Sequence, residues 1–382
     1  MTEVACVDLF CGAGGLTHGL KRTGINVVAG IDIDNYCKHP FEKNNDAKFL
    51  LEDVSSISPS ILSSFFGSAK YRILAGCAPC QPFSTYSQRY ETIGTERWGL
   101  MYHFSRLIKS IKPEIVVMEN VPSVLRHQVY TDFVEKLQKS GYYVTNQINE
   151  CKKYGLPQRR KRMVLLAALD RPIELIEPPK LKEKSVYDAI GLMPKLNHGE
   201  TSKNDRLHMS ASLSDLNLKR IRASKQGGTW RDWPKELIAE CHKKETGRSY
   251  PSVYARMKWN EPSPTLTTQF FGFGNGRFGH PEQDRAITLR EGSILQGFPT
   301  NYSFIANESK VHIKALGRLI GNAVPVTLGE VIGKSIQQHI KITQKENASL
   351  DEKFFPINKP FQHSDLALNS ITSFTQDNKK LA

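Results

Sequence analysis

Acidic residues are under-represented in this 382-residue chain: 38 Asp and Glu face 52 Lys and Arg, a net charge of +14 and a pI of about 9.3. Such a balance argues for a polyanionic partner, nucleic acid first and an anionic membrane surface second. No apolar run approaches the roughly 20 residues of a membrane span. The opening MTEVACVDLF also lacks the basic start and long apolar stretch of an export signal. The expectation is a cytosolic protein whose fold begins almost at residue 1. Seven cysteines, an odd number without an export signal, argue for reduced thiols and against a disulfide framework. A second C-x-x-C or H-x-x-H pair is missing, so Cys77 and Cys80 lack the further ligands of a zinc site. No metal is expected. There is no internal repeat.

What is present reads as α/β. The length suits one large domain with a smaller one. VACVDLF (4–10), INVVAGIDID (25–34), YRILAGCAPC (71–80), EIVVMEN (114–120) and RMVLLAA (162–168) are short apolar runs of strand character. Helical segments fall between them, such as GLTHGLKRTG closed by Gly24 and the amphipathic stretch 97–111. This alternation predicts a doubly wound, Rossmann-like, mostly parallel sheet. Ligands of such sheets collect outside the C-terminal strand ends, where Gly12, Asp32, Cys80 and Glu119 fall. After LDRPIELIEPPK (169–180) the alternation stops. Residues 181–310 are polar, basic and loop-rich, including QGGTWRDWPKE and FFGFGNGRFGHPEQ, and predict a smaller, irregular domain. LREGSILQGF (289–298) reads as a short helix. Residues 311–342 return to a helical pattern, and 343–382 read as a polar tail.

Four stretches carry chemistry. In DLFCGAGG (8–15), glycines after a strand allow a tight turn and close approach to a ligand. An acid about twenty residues on, Asp32, suits a ribose hydroxyl pair. A nucleoside-containing cofactor is favoured over a ligand-free turn. In GCAPCQPFS (76–84), Cys80 between Pro79 and Pro82 suits a presented nucleophile, and Cys77 a packed strand-end residue. A thioredoxin-type pair competes, since it too would follow a strand. Glu119 ends an apolar strand, where a carboxylate must be exposed, paired or poised with a raised pKa. Either a salt bridge or a general-acid role fits. Arg159 to Arg162 precede a buried strand; Arg160 and Arg162 share a face, so both are expected to point into one site. A solvated charge run is the plainer alternative.

Taken in order, DLFCGAGGL (8–16), the Pro-Cys-Gln of APCQPFS (78–84), ENV (119–121), QRRKR (158–162), RMKWNEPSPTLT (256–267) and IGNAVPV (320–326) resemble the cytosine-C5 DNA methyltransferases of bacterial type. The resemblance implies the S-adenosylmethionine-dependent methyltransferase fold, with residues 1–180 catalytic and 181–310 a target recognition domain. It implies Cys80 as the nucleophile toward C6 of a flipped-out cytosine in a specific duplex sequence, Glu119 at N3 and the amine, and Arg162 and Arg160 near the ring or the catalytic loop. Gln81 and Ser84 would lie in that loop. It implies S-adenosyl-L-methionine as cofactor, held by Asp8, Phe10, Gly12, Gly14, Asp32, Asp53, Pro79 and Asn322. Double-stranded DNA is the implied partner, with a cognate restriction endonuclease beside a monomeric enzyme in the bacterial cytosol, at the nucleoid. Two departures stand out: Asp32 is a methylene shorter than the glutamate common there, and Ile33 occupies the place of an adenine-stacking aromatic. Methylation of transfer RNA and a catalytically silent DNA-binding protein are the competing readings.

Overall fold

The computed structural model describes residues 3–79, 99–180, 182–248 and 253–354. Elements in order are β1 Val4–Leu9, α1 Gly15–Arg22, β2 Val27–Asp32, α2 Lys38–Asn45, β3 Lys48–Leu51, α3 Pro59–Phe66 and β4 Tyr71–Gly76. There follow α4 Gly99–Ile111, β5 Ile115–Asn120, α5 Gln128–Lys139, β6 Tyr143–Glu150 and β7 Lys161–Ala168. The remainder is helical and irregular: α6 Val186–Ile190, α7 Asp215–Arg222, α8 Glu240–Lys243, α9 Glu245–Arg248, α10 Leu289–Leu295, α11 Ile313–Asn322 and α12 Val326–Phe354. Met1–His339 forms one compact unit; a second, Ile340–Ala382, contains the end of α12.

The sheet order is β3-β2-β1-β4-β5-β7-β6. All pairs from β3 to β5 are parallel, whereas β7 runs antiparallel to both β5 and β6. The doubly wound, mostly parallel expectation holds. Two strands were not legible beforehand. β3 is only four residues at one edge, and β6 (YVTNQINE) is mostly polar and exposed at the other, so neither shows a buried apolar run. Because β1 leads to β2 on one side and β4 lies on its other side, the order reverses between β1 and β4, the place where such sheets open a crevice.

The first core cluster lies between the sheet and α3, α4 and α5, around Leu9, Leu74, Phe104, Met118 and Phe133. The second joins Cys11, Ala13 and Phe41 to Phe270, Leu295, Phe298, Tyr302, Leu316 and Val326, so residues beyond 186 cover the other side of the N-terminal half. A smaller cluster gathers Ile221, Trp230, Trp233 and Phe273.

The pattern over 311–342 resolves into two helices with a break at Ala323–Pro325. Pro325 has no N–H and disfavours helical backbone at Val324, which separates α11 from α12. Among the described residues, Ile313–Glu346 is the one stretch with the length and hydropathy of a membrane span; it contains this break, and 72% of its 18-residue apolar window is buried.

α12 packs against α1 through glycine. A Cβ on Gly19 would lie 2.4 Å from the Val326 carbonyl oxygen and 2.6 Å from the Gly329 Cα. Alanine at Gly19 would gain about 1 kcal/mol of helix propensity. Overpacking against backbone that cannot swing aside costs about 1–3 kcal/mol and prevails at these distances. The Gly19→Ala variant is therefore expected to melt below the parent, as measured by thermal unfolding.

Candidate active site

β1 ends in a turn that only unusual backbone can make. Phe10 has φ 57, Gly12 φ 54 and Gly14 φ 82, all in the left-handed region that favours glycine. Nothing lies within 4 Å of where a Gly12 Cβ would stand, so the turn faces open space. Gly14, by contrast, is required by packing, since its Cβ would meet Asn45 Nδ2 at 2.6 Å. The turn is fastened to β2, because the Gly12 N–H donates to Asp32 Oδ2 at 2.9 Å and the Asp34 N–H to Asp32 Oδ1 at 2.9 Å. Burial raises the Asp32 pKa. The next residue, Ile33, is 71% exposed, an apolar side chain held out at the strand end beside the open turn. Asp53 follows β3, with one carboxylate oxygen accepting the Ser55 N–H at 2.8 Å.

Asp8 is fully buried. One carboxylate oxygen accepts the Thr17 hydroxyl at 2.6 Å and the other has no hydrogen-bond partner. Burial is the main reason that its pKa rises to about 7. An open glycine turn, the half-buried Asp32 and Asp53 and an exposed apolar side chain fit a nucleoside, with a hydroxyl pair for a carboxylate and a flat base for Ile33. Asp8, without exposed surface, instead ties β1 to Thr17 of α1.

Across the crevice, β5 presents Glu119, 6% exposed. Register puts Glu119 opposite Val164. Arg162 lies two residues along on the same face, a diagonal neighbour. Its Nε sits 2.9 Å from Glu119 Oε1, a close ion pair without the alignment of a hydrogen bond. Burial raises the Glu119 pKa, and the Arg162 and Arg160 charges pull against it. Asn120, the next residue, donates to the Ala78 carbonyl at 3.1 Å and anchors the exit of β4 beside Glu119. Cys77 is half-buried on that exit. Its thiol pKa is pushed well up by burial and by the Glu119 charge, which disfavours a thiolate there. Pro79 is exposed. Cys80, Gln81 and Ser84 lie outside the described residues.

Arg160 and Arg162 do not converge on one point. The Arg160 side chain is buried and donates to the carbonyls of Leu266, Gly321 and Ala323 at 3.1–3.3 Å, clamping the 263–267 segment and the end of α11 behind the site. β7 begins only at Lys161, so the strand alternation behind a shared face does not extend to Arg160. Asn322, exposed at the end of α11, follows the Gly321 carbonyl that Arg160 holds. Gln158 is a positioning residue that composition could not single out. Fully buried, it accepts the Leu266 N–H at 3.0 Å and donates to Leu295 O and Gln296 Oε1. Its only sequence signal is its place in QRRKR.

The strand order, the open glycine turn after β1 and the carboxylate–guanidinium pair on β5 and β7 fit an α/β enzyme of the methyltransferase class with a nucleoside cofactor. The chain belongs to the C-5 cytosine-specific DNA methylase family, whose model matches residues 4–338. It is 49% identical over 342 residues to the type II methylase M.HgiDII of Herpetosiphon aurantiacus, covering 88% of this chain and 96% of that one. It is 30% identical over 338 residues to the type II methyltransferase M1.HphI of Haemophilus parahaemolyticus, covering 86% of each. The solved Entamoeba histolytica methyltransferase EhMeth shares the fold, with a TM-score of 0.63 at 18% identity, over 89% of this chain and 99% of that one. The activity is DNA (cytosine-5)-methyl transfer, and the cofactor is S-adenosyl-L-methionine.

Burial of Asp8 has a stability consequence. Its folded pKa of about 7 lies above the ordinary 3.8, so folding is penalised as pH rises from about 4 to about 7, where the unfolded chain ionises first. An Asp8→Asn variant keeps an acceptor for Thr17 and removes the penalty. Its stability relative to the parent is expected to improve by about 2–3 kcal/mol between pH 5 and pH 8, read by denaturant unfolding at each pH. No change with pH would place the carboxyl in water.

Proposed function

We propose that the enzyme methylates C5 of a cytosine flipped out of a specific duplex sequence, through a covalent bond between Cys80 Sγ and C6. The observation that carries this reading is the buried Glu119–Arg162 pair at the end of β5, beside the Ala78–Pro79 lead into Cys80. Attack by the Cys80 thiolate on C6 puts negative charge on the ring. Glu119, whose pKa burial raises, shares its proton with N3 and accepts from the exocyclic amine, and so takes up that charge. C5 becomes enamine-like and nucleophilic. S-adenosylmethionine, when bound, supplies an electrophilic methyl group. Loss of the C5 proton and expulsion of Cys80 as thiolate then restore the aromatic ring. Arg162 fixes the Glu119 carboxyl, and Arg160 supports the wall behind it. Cys77, kept as a neutral thiol, takes no covalent part.

Asp8, Phe10, Gly12, Gly14, Asp32, Asp53, Pro79 and Asn322 are assigned to the cofactor. Asp32, with each of its oxygens already accepting a backbone N–H, offers only its remaining lone pairs to the ribose, and Ile33 offers the adenine an apolar face in place of an aromatic one. Residues 181–310 are assigned to reading the target sequence. Flipping the base costs a few kcal/mol, and phosphate contacts from the basic chain offset part of that. We further propose a monomer working in the bacterial cytosol at the nucleoid, alongside a restriction endonuclease of the same specificity.

Two measurements test the chemistry. With tritiated S-adenosylmethionine, label is expected as 5-methylcytosine in duplex DNA and not in transfer RNA; label in transfer RNA alone would overturn the DNA reading. With duplex DNA containing 5-fluorocytosine, whose C5 substituent cannot leave, a covalent adduct is expected from the parent and from Cys77→Ser, and none from Cys80→Ser. An adduct that depends on Cys77 would reverse the assignment of the two thiols. The Glu119→Gln variant keeps the shape and loses the exchangeable proton. Its kcat is expected to fall by about 10²- to 10⁴-fold with little change in DNA affinity, read by steady-state kinetics and gel shift.

A further inference from the structure

Among the described residues, most buried and half-buried arginines have acceptors. Arg72, Arg162, Arg256, Arg285 and Arg290 each face a carboxylate. Arg106 and Arg220 spend N–H groups on backbone carbonyls, as Arg160 does. Arg277 is different. It is half-buried, and its Nε is out of contact with water without a hydrogen-bond partner. Arg160 and Arg171 also carry one such nitrogen but have other partners, whereas among the described residues the Arg277 side chain forms no hydrogen bond or ion pair. A buried donor without a partner costs about 1–3 kcal/mol, and the half-buried guanidinium that carries it has no acceptor among the described residues.

The backbone under Arg277 is fixed. Phe278 is buried in the second core cluster, and its carbonyl accepts the Ile287 N–H at 2.9 Å. The Gly279 N–H donates to Ala255 O, and the Gly279 carbonyl accepts from the Met257 N–H, both at 2.9 Å. On the N-terminal side the turn Phe273–Asn275 packs on Tyr254, with ring centroids of Phe273 and Tyr254 5.6 Å apart. The same stretch of chain begins at the active site. Ser263 O accepts the Arg159 N–H, and Leu266 O accepts from Arg160, about ten residues before Arg277. A guanidinium mounted on rigid chain, leading away from the catalytic wall and lacking a counter-charge, is prepared for an anion.

We infer that Arg277 is a positioning residue that takes a phosphate of the substrate duplex. The +14 chain acts on a polyanion, and a guanidinium's paired N–H groups match a phosphodiester. This rests on the DNA reading above. Phosphate is chosen over a base edge because one fixed cation sets the register of the duplex without needing a particular sequence.

The test uses full-length protein with a random-sequence 30-base-pair duplex, in parent, Arg277→Gln and Arg277→Lys forms, with Kd measured over a range of salt. Arg277→Gln is expected to bind about 10-fold more weakly and to lose about 0.9 from the slope of log K against log salt. Its KM for DNA should rise with kcat within about twofold of the parent. Arg277→Lys should keep the slope and lose only part of the affinity. Methylation sites mapped on a plasmid should be the same in all three proteins. An unchanged Kd and slope in Arg277→Gln overturns the inference, and so does a shift in the methylated sequence, which would make Arg277 a base reader. If Lys fails as Gln does and both melt early, Arg277 is structural and the inference also falls. A parent without salt dependence removes instead the phosphate-gripping reading as a whole.

Discussion

One strand running backwards makes the site possible. In an all-parallel sheet the chain enters every strand at the end opposite to its ligand crevice. QRRKR sits at the entry of β7 and Glu119 at the exit of β5, so parallel pairing would hold them a strand length apart. Antiparallel insertion of β7 between β5 and β6 turns that entry round and puts Arg162 diagonal to Glu119. The pairing matters energetically as well as geometrically. A carboxylate this deeply buried would otherwise be protonated, or would cost several kcal/mol to keep charged. Burial raises the Glu119 pKa, while Arg162 at 2.9 Å and the Arg160 charge pull it back, so opposing effects meet at one carboxyl.

The C-terminal half completes the catalytic half by backbone contact more than by side-chain chemistry. Arg160 and Gln158 reach out of QRRKR to the 263–267 segment, α10 and the end of α11, and bind carbonyls and N–H groups that would otherwise be buried without partners. The same logic accounts for the Arg285–Glu291 pair, fully buried and doubly bonded at 2.7 and 2.8 Å, with Thr288 and Glu291 forming the capping box of α10. In α1 and α12 the chain instead uses glycine to remove side chains and let two helix backbones meet.

Much of this could be read in advance. The apolar runs that became β1, β2, β4, β5 and β7 were visible because they are buried on both faces. The edge strands β3 and β6 were not, because solvent on one side removes the signal. Motif order indicated the family and pointed to Glu119 and Arg162, which the fold then sets in contact. What periodicity could not supply was direction and destination. No local pattern records that β7 is antiparallel, that Pro325 divides a long helical pattern in two, or that Arg160 departs from the face of Arg162 to hold carbonyls more than 100 residues away. Burial first and the Glu119 carboxylate second raise the Cys77 pKa, an effect that the CxxC spacing alone does not record.

The turn after β1 also bears on how the enzyme is made. Its Ala13 carbonyl accepts the Tyr302 hydroxyl at 2.6 Å across 289 residues, and a Cβ on Gly15 would strike the Val324 carbonyl oxygen at 2.2 Å. This turn is thus seated on segments nearly 300 residues later in the same compact unit. At synthesis rates of about 5–20 residues per second, the interval between them is roughly 15–60 s. Throughout that time the glycine turn has no floor, and the apolar side chains of its cluster stand uncovered. The packing of this turn is therefore completed only once the segments around Tyr302 and Val324 have been made.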